Sequence, residues 1–263
     1  MLEKPGFLDL PPREPKPRSR GLTHVLDKGL DPATTSSFIQ QCASLVDIVK
    51  IGWGISYVDP TVGERIGVYR RAGVEVCLGG TLVEICALHG RVEPMRDWAL
   101  ALGVTVIEVS NGLHQLEPEA KTALIRALSR DFAVAAEVGD KDPSMPVLAS
   151  RWVDEMEGDL EAGATWLVAE GRESGTVGIY SEAGVVRSEL VDAVAERIPL
   201  DRVIFEAPNK SQQAWFVLRA GPHVNLGNIA PDDVLPLETL RLGLRADTAF
   251  GVASHEDARR AFR

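Results

Sequence analysis

Apolar positions along the chain fall into two alternating patterns. Short β-type runs recur eight times. They read T-H-V-L-D (23–27), D-I-V-K-I-G-W (47–53), V-E-V-C-L-G-G (74–80) and V-T-V-I-E-V-S-N-G (104–112). They continue as A-V-A-A-E-V-G (133–139), T-W-L-V-A-E-G-R (165–172), V-I-F-E-A-P (203–208) and V-N-L-G-N (224–228). Between them, apolar residues recur at spacings of three and four, the period of a helix with one buried face. This spacing predicts helices over 37–46, 62–72, 117–129, 152–162 and 190–198. The stretch 82–102 holds one or two more, interrupted around Gly90 and Pro94. Ala72-Gly73, Leu102-Gly103, Ala162-Gly163 and Ala220-Gly221 each precede a strand, and glycine there supplies the left-handed residue that closes a helix.

Strict alternation of strand and helix implies parallel strands joined by crossover helices. Eight such units in about 250 residues match an α/β fold, a single (β/α)8 TIM barrel. A doubly wound open sheet is the alternative, weakened because no G-x-G-x-x-G follows the first strand. The expected organisation is an irregular N-terminal arm over 1–19, a barrel catalytic domain over 20–253 and a C-terminal tail over 254–263.

Composition narrows the classes. Hydrophobic residues at 45% and charged residues at 25% are an ordinary globular balance, so a sizeable core is expected. A net charge of -10 with no basic stripe excludes a nucleic-acid partner, and an anionic ligand needs a local basic pocket. No apolar run is long enough to span a membrane, and no signal-type apolar stretch opens the chain. Cys42, Cys77 and Cys86 lack C-x-x-C spacing and read as small buried hydrophobes in a reduced, cytoplasmic setting. The five histidines show no ligand spacing.

The candidate chemistry lies at the strand ends. A charge between apolar residues on a barrel strand has few destinations except the C-terminal mouth, where active sites of this fold lie. Asp27, Lys50, Glu108, Glu137, Glu170 and Glu206 are such charges. Buried charge must pair or hold a metal, and a salt bridge accounts for any one of them. Six on one face point to a site. Glu137, Glu170 and Glu206 end strands five, six and seven and are the expected ligands of one hard cation, Mg2+. Glu108 is a fourth ligand or a neighbour that bonds to them.

Lys28, Lys50, Lys141, Arg172 and Lys210 also lie at or just after strand ends, which suggests an anionic substrate. Ser174 and Gly175 offer close approach to an anion. Lys210, Ser211, Gly227 and Asn228 are the phosphate candidates, because the loops after strands seven and eight often hold phosphate in this fold. The stretch Gly79-Gly80-Thr81 offers backbone donors or, equally, a turn with Thr81 as helix N-cap. Trp53 is placed to wall the pocket. Gln212 and Gln213 read as first-turn residues of a helix.

Several of these strings resemble the phosphosulfolactate synthase family of coenzyme M biosynthesis. They are R-G-L-T (20–23), V-L-D-K-G-L (25–30), V-K-I-G-W-G (49–54), G-G-T-L (79–82) and E-V-G (137–139). They continue with E-G-R-E-S-G (170–175), V-I-F-E-A-P-N-K-S-Q-Q (203–213), V-N-L-G-N-I (224–229) and L-E-T-L-R-L-G-L-R-A-D-T (237–248). The resemblance implies a Mg2+-dependent TIM barrel that adds sulfite to phosphoenolpyruvate, giving (2R)-phospho-3-sulfolactate. Sulfite would attack the methylene carbon, charge would develop as an enediolate, and an acid would protonate the phosphate-bearing carbon. Lys141 matches the lysine expected in the loop after E-V-G, and Lys50 is the second choice. Such a lysine needs its pKa lowered by cations or burial. Asp140 stands directly after E-V-G, where family members tend to carry lysine. Two alternatives follow: a related barrel enzyme with a different nucleophile or phosphorylated substrate, or a non-catalytic, stress-associated homologue with an eroded mouth. The expected partners are small anions, with no nucleic acid and no membrane, in a homo-oligomer.

Overall fold

The structure, a computed structural model, describes residues 6–139 and 147–252. The eight apolar runs become strands β1 (Thr23–Asp27), β2 (Ile48–Ile51), β3 (Glu75–Leu78) and β4 (Val106–Val109), then β5 (Ala133–Val138), β6 (Trp166–Ala169), β7 (Val203–Glu206) and β8 (Asn225–Ile229). Each pairs in parallel with the next, and β8 returns to β1, so the barrel closes as expected.

The helices are α1 (Pro32–Cys42), α2 (Ile55–Val58), α3 (Val62–Arg71), α4 (Gly80–Leu88) and α5 (Val92–Leu102), then α6 (Pro118–Leu128), α7 (Ala149–Ala162), α8 (Ser188–Arg197), α9 (Lys210–Ala220) and α10 (Val234–Arg241). Helix α1 begins earlier than its apolar period, because Asp31 caps the Ala33 and Thr34 amides ahead of a polar first turn. The 82–102 stretch breaks at Gly90 alone. Pro94 sits in the first turn of α5, where its missing N–H costs nothing. Gly103 and Gly163 close their helices in the left-handed conformation as expected, whereas Gly221 pairs a positive φ with an extended ψ of 174°.

Strand side chains alternate between faces. One face packs outward against helices, with Val25, Val49, Ile107, Val134, Leu167 and Phe205. The other fills the barrel with Ile48, Cys77, Val106, Ala135, Val168 and Ile204. Lys50, Glu108, Glu137, Glu170 and Glu206 each lie two residues beyond one of these interior positions, so all five point inward at the mouth. Asp27 corrects the expectation for β1. It lies two residues beyond outward-facing Val25 and meets α3 instead. Its carboxylate accepts Arg65 Nη1 at 3.1 and 3.0 Å and Tyr69 Oη at 2.9 Å.

Residues 6–22 form no helix or strand. They cross the opposite end of the barrel, where Arg18 pairs with Asp47 at 2.9 Å and Arg13 with Glu238 at 3.2 Å. Lys16 Nζ donates to the carbonyls of Ala43 and Val46.

Candidate active site

The inward charges form one bonded layer. Lys50 Nζ donates to Glu108 Oε2 at 2.8 Å and to Glu206 Oε1 at 3.0 Å. The second oxygens of those carboxylates are held by backbone. Gly80 N–H donates to Glu108 Oε1 at 2.9 Å. The N–H groups of Gly171 and Arg172 both donate to Glu206 Oε2 at 3.0 Å. Arg172 N–H also reaches Glu170 Oε1 at 2.6 Å. All five side chains of the layer are buried. Burial works against the Lys50 ammonium, but Glu108, Glu206 and Glu137 outweigh it and hold the amine well above its ordinary value. Lys50 is therefore a firmly protonated group, not the lowered amine expected of a proton donor. Burial lifts the Glu108 carboxyl above its usual range, against the pull of Lys50.

Glu108, Glu137 and Glu206 each offer a carboxylate oxygen, all within 4.8 Å of one another. This trio shares Glu137 and Glu206 with the expected one and brings in Glu108, while Glu170 turns an oxygen toward its own loop. Three buried hard oxygen donors against one ammonium leave an excess of negative charge. That donor set fits a divalent oxygen-seeking cation such as Mg2+.

Above the layer is a cavity of about 250 Å³. Among the residues singled out in the sequence, Lys50, Glu137, Glu170, Glu206, Arg172 and Asn228 line it, together with Trp53 and the Gly79–Thr81 turn. Five others do not. Lys28 and Ser211 are exposed away from it. Ser174 Oγ bonds Thr176 Oγ1 at 2.8 Å, and Lys210 pairs with Asp247 at 2.9 Å. Gly227 lies within the barrel, where a Cβ would sit 3.0 Å from His24 Nδ1. Lys141 falls outside the described residues. Thr81 is not a cap: α4 starts at Gly80 with Gly79 as N-cap.

A family model for (2R)-phospho-3-sulfolactate synthase (ComA) matches residues 11–247. The chain belongs to this family. The phosphosulfolactate synthase of Methanothermobacter thermautotrophicus is 44% identical over 244 residues, covering 90% of this chain and 95% of that protein. That of Bacillus subtilis is 39% identical over 249 residues, covering 92% and 98%. Among solved structures, the YdjI aldolase of Escherichia coli K12 superposes with a TM-score of 0.55 at 14% identity, covering 90% of this chain and 91% of that one. The 3-hexulose-6-phosphate synthase of Salmonella typhimurium gives 0.53 at 13%, covering 91% and 99%. These last two share the fold.

The phosphosulfolactate synthase-family mouth also uses residues that strand-end reasoning misses. Glu84, on α4, lines the cavity and accepts from Ser110 Oγ, Gly112 N–H at 3.1 Å and Leu113 N–H at 2.8 Å, fixing the loop after β4. Gln212 does more than start a helix. Its Nε2 donates to Gly175 O at 2.8 Å and so ties α9 to the loop after β6. Trp53, Arg172 and Asn228 have φ of 50°, 60° and 53°, a left-handed conformation that costs a residue with a Cβ, and all three line the cavity. No helix among the described residues is long and apolar enough to cross a membrane.

Two buried amines, a phenol and a thiol of this phosphosulfolactate synthase-family barrel are expected to weaken it at alkaline pH. Lys50 and Lys121 both have pKa values raised above 10.5 in the fold, because nearby carboxylates outweigh burial. A raised amine contributes stability that is fully present below its unfolded pKa and is lost as pH rises through the folded one. Burial also raises Tyr69 and Cys77, so the unfolded chain releases those protons first. Stability is expected to begin falling as pH passes 9.0, the ordinary value of the Cys77 thiol, and to fall more steeply above 10.5, that of the lysines. Urea unfolding at neutral pH and in the alkaline range checks this, and equal midpoints would contradict it.

Proposed function

We propose that this chain adds sulfite to phosphoenolpyruvate to give (2R)-phospho-3-sulfolactate. The observation that carries the reading is the buried trio of Glu108, Glu137 and Glu206 around a protonated Lys50, at the mouth of a barrel of this family. The trio would hold Mg2+, which as a Lewis acid offsets negative charge developing on the substrate carboxylate. In the addition, the sulfite sulfur forms a bond to the methylene carbon. The displaced π electrons move toward the carboxylate, and a proton then joins the phosphate-bearing carbon.

The side chains divide these tasks. Lys50 is better suited to hold anionic charge than to release a proton, since a general acid works best with its pKa near the working pH. Lys141, from the sequence, is the proposed acid. Arg172 lines the cavity, and its guanidinium would offer a fork to an oxyanion bound there. Asn228 adds a buried amide whose oxygen has no hydrogen-bond partner among the described residues.

Purified protein with phosphoenolpyruvate and Mg2+ is expected to consume substrate only when sulfite is added, followed by phosphorus NMR. Absence of any sulfite-dependent loss overturns the reading. Lys141→Ala is expected to slow the reaction by about 10²–10⁴-fold, the usual worth of a general acid. Asp140 motivates a second reading, the same barrel with a different nucleophile. A panel of nucleophiles offered with phosphoenolpyruvate separates the two.

A further inference from the structure

A second buried ammonium lies just outside the barrel wall. Lys121, on α6, is 3% exposed. Its Nζ donates to Asp159 Oδ2 at 2.7 Å and Glu155 Oε1 at 2.6 Å, both on α7. It also donates to the backbone carbonyl of Glu137 at 2.9 Å. The three donors of one ammonium thus meet three acceptors. Asp159 is itself 3% exposed, so this is a buried charge pair aimed at the end of β5. The same face of α7 presses on the next turn. A Cβ on Gly139, whose φ is 143°, would come within 3.0 Å of the Trp152 ring. The Glu137 side chain points the other way, into the trio with Glu108 and Glu206. The carbonyl carbon and Cβ of Glu137 share one Cα, and with β5 held in its ladder beside β6 a tether on the carbonyl steadies the direction of the side chain.

We propose that Lys121, anchored by Asp159 and Glu155, is a positioning residue that aims the Glu137 carboxylate at the cation site. This rests on the proposed function, in which that trio holds a divalent cation. Groups that orient a metal ligand from behind typically change affinity by about 10–100-fold when removed.

The test measures Mn2+ binding by calorimetry on the full chain without substrate. Lys121→Met is combined with Asp159→Asn, so that no buried carboxylate is left uncompensated. Circular dichroism checks that the double variant folds. It is expected to bind Mn2+ about tenfold more weakly than the parent. In a Glu137→Gln background, the same pair of changes is expected to have no further effect, because Lys121 acts only through Glu137. Lys121→Arg, which keeps the charge but not the compact ammonium, is expected to weaken binding by a smaller factor and stands in if the double variant does not fold. A folded variant with parental Mn2+ affinity, or an undiminished loss in the Glu137→Gln background, overturns the inference alone. A parent that binds no divalent cation overturns the proposed function and this inference with it.

Discussion

Lys50→Met is expected to slow sulfite-dependent turnover by about two to three orders of magnitude, as loss of a charge-stabilising donor typically does, while tightening divalent-cation binding. The opposite signs are the point. Methionine keeps the length of the side chain and removes the ammonium that bonds Glu108 at 2.8 Å and Glu206 at 3.0 Å. A unit charge about 4 Å from another contributes about 4 kcal/mol at the effective dielectric of a partly wet site. Taking a positive charge away from three clustered carboxylates therefore favours any incoming dication, and even a third of that figure is about tenfold in affinity. The substrate anion loses the same charge, so catalysis falls. Steady-state rates and calorimetry on one folded preparation read both effects. Parental turnover, or weaker cation binding, contradicts the assigned role of Lys50.

Asp27→Asn is expected to cost about 3–5 kcal/mol of stability, as breaking a buried ion pair from one side does. Folded domains hold only about 5–15 kcal/mol in total, so a large fraction of the margin disappears. The Asp27 carboxylate takes two bonds from Arg65, one from Tyr69 and two from the amides of Gly29 and Leu30. Arg65 is fully buried, and after the change Asp59 is its one remaining carboxylate partner among the described residues, beside the Leu30 carbonyl. Because Asp27 faces α3 and not the mouth, the surviving folded fraction should keep parental kcat. A lower urea midpoint with unchanged kcat is the expected result. An unchanged midpoint would show that this pair contributes little, and a lost kcat would place Asp27 in the site.

The barrel is legible in the sequence because its strands are buried on both faces and stand out as continuous apolar runs. The same property hides direction. Both parities of each strand are apolar, so hydrophobicity does not say which side chains point inward, and Asp27 reads like Lys50 or Glu206. The interior residues decide it: Glu206 lies two beyond Ile204, and Asp27 two beyond Val25. The trio at the mouth depends on finer geometry. Whether Glu108 or Glu170 joins Glu137 and Glu206 follows from where the amides of Gly80 and Arg172 pull each carboxylate. Glu84 and Lys121 come from helices, where a single acid or base carries no strand-end signal. The Gln212 bond to the Gly175 carbonyl spans 37 residues and has no local trace. Lys210 and Ser211 follow β7 as the phosphate pattern expects, yet α9 turns Lys210 toward Asp247.

The left-handed backbones of Trp53, Arg172 and Asn228 reverse what a conservative change means at the mouth. Glycine would suit each backbone best and relieve roughly 1–3 kcal/mol of conformational cost apiece. It would also delete the ring, the guanidinium and the amide of three residues that line the cavity. Most other residues keep the strain and change the chemistry, with asparagine, as at Asn228, bearing the least of it. At these three positions the backbone favours glycine while the cavity depends on the side chain.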